Sequence, residues 1–217
     1  MCNFPRLAIV VSHEKSNEDE GSLFVEMTNG YSSMEIRSFE AALSMLPSGS
    51  RVQVVAKGTV GNNTVHHLSR IIHRCNVLVS LDLTDVTEWS RVYDSPFQGN
   101  QNLLYMRFPS NLVSINPRAF ADCTALEAVS IPSTCVLIGA EAFKGCEKLT
   151  RIEFADAANW YYEADDGSAQ PMQGLHDATE APLLLSRRNA KFATCRLFKS
   201  SLQAELTAAQ RRDASAV

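Results

Sequence analysis

Residues 100–122, NQNLLYMRFPSNLVSINPRAFAD, are followed by residues 123–145, CTALEAVSIPSTCVLIGAEAFKG, and the two 23-residue segments share one frame. Leu103 matches Leu126, Met106 matches Val129, Phe108-Pro109 matches Ile131-Pro132, Ile115 matches Ile138, and Ala119-Phe120 matches Ala142-Phe143. A third copy opens at Cys146 with Leu149, Ile152 and Phe154 in the same places. Upstream, Cys75, Leu78, Leu81 and Leu83 fit the frame, and Pro96-Phe97 stands where Ala-Phe stands later, after an interval two residues longer. Self-similarity at a fixed short period predicts a stacked repeat, because one such unit cannot bury its apolar face alone.

Each position has a physical meaning. In Leu-x-x-Ile-x-Ile the last two apolar residues lie two apart, so strand alternation turns both inward. Proline at the strand end lacks an N–H and stops the ladder. The Ala-Phe pair fits a short helical or turn segment on the far side, with the small residue near the backbone and the large one in the core. Cys75, Asn100, Cys123 and Cys146 form one column, where a small, weakly polar side chain satisfies loop backbone groups while buried.

Leu126-x-x-Val129-x-Ile131-Pro132, followed by Ile138-Gly139-x-x-Ala142-Phe143-x-x-Cys146, closely resembles the BspA-like, or treponemal, class of leucine-rich repeats. Asn116-Pro117 replaces the Ile-Gly step one turn earlier, and Pro96-Phe97 replaces Ala-Phe in the first turn. The resemblance covers roughly residues 34–165. It implies a leucine-rich-repeat solenoid, a curved α/β-type repeat of mostly strands with short helical or turn segments. About four turns of 23–25 residues are expected, with an α/β N-terminal cap and an irregular C-terminal cap. It further implies an interaction module of bacterial, spirochaete-like type, linked to attachment and host contact at the cell surface.

The flanks supply caps, which a solenoid needs because its terminal units otherwise expose an apolar face. Phe39, Ala42, Leu43 and Leu46 have helical spacing and end at Pro47-Ser48-Gly49. Val52, Val54 and Ala56 alternate as a strand ending at Gly58. Val65, Leu68, Ile72 and Cys75 give a second helix face with Asn63 or Thr64 as N-cap. The expected division is therefore residues 1–33 as an N-terminal segment, partly polar or disordered, with Ser12–Gly21 as a loop or disordered stretch. Residues 34–74 then form the helix-strand-helix cap, 75–160 the repeats, and 161–217 the C-terminal cap and tail. Trp160, Tyr161 and Tyr162 are expected to end the last strand. Ala164–Ala181 reads as irregular, Leu183–Leu185, Phe192, Leu197 and Phe198 as cap core, and Ser201–Arg212 as a terminal helix.

A 45% apolar, 20% charged chain of 217 residues folds around a core, and a net charge of −4 with only isolated basic pairs argues against nucleic acid. No apolar run reaches the length of a membrane helix. Leu7–Val11 is too short and poorly flanked for a secretory signal, so the expectation is export by another route, a cytoplasmic protein, or a signal outside this sequence. Six cysteines without a CxxC pair suggest free structural thiols. His66, His67, His73 and Cys75 lack metal-ligand spacing, and no metal or cofactor is expected. Asp19-Glu20 and Asp165-Asp166 lie in polar segments, and Cys135 and Cys195 have only His176 as a base in their half of the chain. No catalytic residue is assigned.

The residues between the inward ones face the concave side: Ser80, Asp82, Tyr105, Arg107, Ala128, Ser130, Arg151 and Glu153. Two arginines, acids and a tyrosine resemble an interface mixture. Four strands give a strip about 15–20 Å wide, suited to a peptide, an extended loop or a small apolar group, with Tyr105 as anchor and Arg107 and Arg151 orienting an acidic partner. A non-enzymatic, adhesin-like protein-protein interaction module is the first reading. An intracellular scaffold or a self-associating homo-oligomer is the alternative.

Overall fold

The computed structural model describes residues 6–13, 21–28, 33–59, 62–93, 95–187 and 192–201. The chain opens with β1 (Arg6–His13) and β2 (Gly21–Thr28), then α1 (Ser33–Ser44), β3 (Arg51–Thr59), α2 (Asn62–Arg74) and β4 (Leu78–Thr87). The repeats continue with β5 (Arg91–Val92), β6 (Leu103–Arg107), β7 (Ser114–Ile115), β8 (Ala128–Ile131), β9 (Leu137–Ile138) and β10 (Arg151–Phe154). Last come β11 (Trp160–Glu163), β12 (Ala169–Pro171), α3 (Ala181–Leu185) and β13 (Leu197–Lys199).

Each repeat contributes one strand to each of two sheets. The first has seven strands in the order β10-β8-β6-β4-β3-β1-β2, the second six in the order β12-β11-β13-β9-β7-β5. Within the repeats every pairing is parallel and offset by one turn, as in Met106 on Val129 and Ile115 on Ile138. The result is a solenoid of about four turns, as the repeat frame predicts. The turn side carries a spine of rings at the 23-residue period: Phe97 stacks on Phe120 at 5.1 Å and Phe120 on Phe143 at 5.6 Å. Phe108 meets Phe120 edge-on at 5.5 Å, which ties the first sheet to this spine. The Ala-Phe segments are turns, and their backbones pair between turns, Phe97 N–H to Ala119 O and Phe120 N–H to Ala142 O.

Two features depart from the sequence reading. First, the leading segment contains strands: β1 pairs antiparallel with β2 and β3 and lengthens the first sheet beyond the repeats. Leu7–Val11 is apolar enough for a strand. Second, Trp160–Tyr162 does not continue the last repeat strand; it starts β11 in the other sheet, antiparallel to β12 and β13. The loop at Asp156–Asn159 separates them, with the Trp160 indole N–H donating to Asp156 O at 3.1 Å. Most of the terminal helix expected over Ser201–Arg212 lies outside the described residues, as do Cys2 and the acidic pair Asp19-Glu20.

The C-terminal segment packs on the repeats. Trp160, Met172, Leu175, Ala181, Leu185, Phe192 and Leu197 belong to the same buried core as the repeat residues. Its backbone also replaces the missing next turn. Ala178 O accepts from Ile152 N–H at 2.9 Å, Ser186 O from Gly145 N–H at 2.7 Å, and Ala193 O from Glu141 N–H at 3.1 Å. Buried or edge donors without such partners cost free energy, so this cap completes the last turn chemically as well as covering it.

Candidate binding surface

The first sheet has one face in the core and one outside. Along β4, Val79, Leu81 and Leu83 are buried while Leu78, Ser80 and Asp82 are half-exposed. Strand register then aligns the outward residues in rows across the sheet. One row runs Gln53, Ser80, Tyr105, Ala128, Arg151; the next runs Val55, Asp82, Arg107, Ser130, Glu153. All eight residues taken from the repeat frame thus occupy two adjacent rows. Gln53 and Val55 extend them onto β3, beyond the repeats.

A further row lies at the strand starts. The register of β4 against β6 shifts between Val79 and Ser80, leaving Leu104 unpaired there. The backbone N–H of Glu127 donates to Leu104 O at 2.7 Å. Leu78 pairs with Arg51. The Arg51 guanidinium reaches both carboxylate oxygens of Glu127 at 3.1 and 3.4 Å. Leu78 is half-buried and Leu104 only 4% exposed. Alternation could have indicated that Leu78 points outward, since Val79, Leu81 and Leu83 point inward; the long-range Arg51–Glu127 pair leaves no local sequence signal.

The charges on this face are engaged with one another. Arg107 pairs with Asp82 at 3.2 Å, its Nε donates to the Tyr105 hydroxyl at 3.3 Å, and its guanidinium lies 5.6 Å from the Tyr105 ring centroid. The Tyr105 hydrogen bond, and then Asp82, hold the Arg107 charge even more firmly than usual. Arg151 pairs with Glu153. Both arginines expected to orient an acidic partner are therefore already occupied.

The other groups weighed from the sequence are dispersed. His66 and His67 are half-buried and His73 exposed on α2, and Cys75 donates to Ile72 O and Val77 O. Among the described residues, no group of three or more His, Cys, Asp or Glu could hold a metal. Asp165 and Asp166 are exposed, Asp166 receiving the Ser168 N–H at 2.9 Å and sitting below the usual carboxylate range because Ser168 donates to it. Burial pushes the Cys135 thiol up to about 12 and raises that of Cys195, which disfavours the thiolate a nucleophile needs. A cavity of about 160 Å³ between the ends of α1 and α2 is lined by Leu43, Leu46, Ile71, Glu40, Arg74 and Cys75. It is smaller than ordinary small-molecule sites. No described helix is long and apolar enough to cross a membrane.

Against known families, residues 71–164 match the BspA type leucine rich repeat region, in six copies. The match begins within α2, after the rest of the N-terminal cap, and the class it matches implies protein–protein interaction. Among solved structures, a leucine rich cell surface protein from Faecalibacterium prausnitzii A2-165 is similar at 22% identity and a TM-score of 0.30. The similarity covers 38% of this chain, which spans about a fifth (21%) of that protein's length. Comparison with curated proteins gives no match.

Proposed function

We propose that the BspA-type repeat region is the core of a protein-recognition module, and that the outer face of the first sheet receives the partner. The observation that carries this reading is the alignment of Ser80, Tyr105, Ala128 and Arg151, and of Asp82, Arg107, Ser130 and Glu153, in two continuous rows on one accessible face. Tyr105 is the anchor, because it offers a large apolar area with a polar tip from a central strand. A peptide or extended loop of another protein is the favoured partner, and an adhesin-like contact outside the cell is the biological setting. Extension of the sheet by self-association is disfavoured at the β10 end, where Ala178 already accepts from Ile152.

The test is a Tyr105→Ala, Arg107→Ala double variant. Its melting should match the parent, since Tyr105 is half-exposed and Arg107 exposed. Binding to immobilised matrix proteins should drop, while sedimentation should show the same oligomeric state as the parent. Interactions that all survive the double change would remove this face as the site.

A further inference from the structure

We infer that the partner segment seated on this face is apolar and uncharged at its anchor; this rests on the reading that the outer face is the binding surface. The inference comes from how the charges are placed. Three cations and three anions occupy the three rows, and each is paired within the face: Arg51 with Glu127, Arg107 with Asp82, Arg151 with Glu153. Together they frame an uncharged accessible patch of Leu78, Tyr105 and Ala128. Arg51–Glu127 lies on the strand-start side, Asp82–Arg107 on the strand-end side, and Arg151–Glu153 at the β10 edge.

An acidic segment docking here finds no unpaired cation among the described side chains of these three rows. At Arg107 it competes with Asp82, which already offsets that charge, so the added contact brings little gain. A basic segment meets the same difficulty at Asp82, Glu127 and Glu153. An aromatic or aliphatic side chain loses nothing of the kind. It covers the part of the Tyr105 ring that Arg107 leaves open, the Ala128 methyl and the edge of Leu78, while the ion pairs stay where water still reaches them. Small residues on either side of Tyr105, Ser80 and Ala128 in its row and Ser130 beside it, leave room for that side chain to lie flat.

The experiment selects binders from a phage library of random peptides of about twelve residues, enough to cross the face as an extended strand. Enriched sequences should centre on an aromatic or aliphatic residue with near-zero net charge. Their affinity should change less than about twofold between roughly 0.05 and 0.5 M salt, because screening acts on unpaired surface charge. Ala128→Glu should weaken them at least about tenfold and Ala128→Ser at most about threefold, a contrast that burial of an unpaired charge produces. Both variants are at a half-exposed position and should melt like the parent. Enrichment of charged motifs whose affinity collapses with salt, yet still fails in Ala128→Glu, would overturn the partner chemistry and leave the face standing. Binding indifferent to Ala128→Glu, or no enrichment at all, would count against the face itself.

Discussion

Gly139 packs against the preceding turn so closely that an added Cβ would sit 2.6 Å from the Asn116 carbonyl carbon and closer still to the Pro117 nitrogen. Gly139→Ala should therefore force the two turns apart, costing at least about 1–3 kcal/mol as overpacking does, read as a lowered urea midpoint. The sequence shows a glycine there, but not that Pro117, 22 residues earlier, is what demands it. The ring spine was legible, because Phe120 and Phe143 recur at one position of the frame. What the frame hides is that, among the described residues, Phe120 has three ring neighbours, Phe97, Phe108 and Phe143, whereas Phe143 has one, Phe120. Both Phe→Ala changes should cost on the order of 3–5 kcal/mol, Phe120→Ala more than Phe143→Ala, by equilibrium unfolding. The cysteine column was also legible, though its bonding was not. Cys123 donates to Phe97 O and Cys146 to Phe120 O, each reaching back to the previous turn; only Cys75 serves its own loop. All five cysteines in the described residues are free. Burial raises the Cys135 thiol from 9.0 to about 12, so its neutral form stabilises the fold below about pH 9 and that contribution is lost as pH rises toward 12. The melting temperature should fall across that alkaline range, less steeply in Cys135→Ala, and the half-buried Cys75 and Cys195 should react with a thiol reagent well before Cys123, Cys135 and Cys146.

At the scale of elements, the departures from the repeat pattern mark the places where a repeat meets a cap. The second turn carries Asn100 where the turns before and after it carry cysteine. Its Oδ1 accepts from Asn102 N–H and Leu103 N–H, and its Nδ2 donates to Ser69 O on α2. Asn102, where later turns have Ala125 and Lys148, sits within 2.8–3.2 Å of the Ile72, His73 and Cys75 carbonyls. Those are the acceptors that the end of a helix leaves unsatisfied, so Asn102 caps α2 from the neighbouring turn. Asn102→Ala should cost about 1–3 kcal/mol, and hydrogen exchange should show the last turn of α2 opening before the repeats do. Helical spacing was enough to place α1 and α2. The asparagines could be read only as breaks in a column, because their partners are 27–31 residues away. The C-terminal cap was harder to read. Its strands are short, and its main service, offering Ala178, Ser186 and Ala193 carbonyls to the last turn, uses backbone groups that any sequence carries.

Across the whole molecule, the repeats and the N-terminal elements form one first sheet of seven strands, about 29 Å across at the 4.8 Å strand spacing rather than the 15–20 Å expected from the repeats alone. The period set the outward positions correctly as rows, since a two-residue alternation in register leaves little freedom. It did not reveal the pairing of charges along those rows, because Arg51 and Glu127 lie 76 residues apart and only the stacked fold brings them together. This matters for function: a face whose charges are mutually satisfied selects by shape and apolar contact more than by field. Everything proposed of binding requires that a partner lie on that outer face. A photoreactive phenylalanine analogue at position 105 and, separately, at the exposed position 118 on the turn side tests it directly, using the library-enriched peptides as probes. Covalent capture of peptide is expected from position 105 and none from position 118; capture from 118 with none from 105 would contradict binding on the outer face.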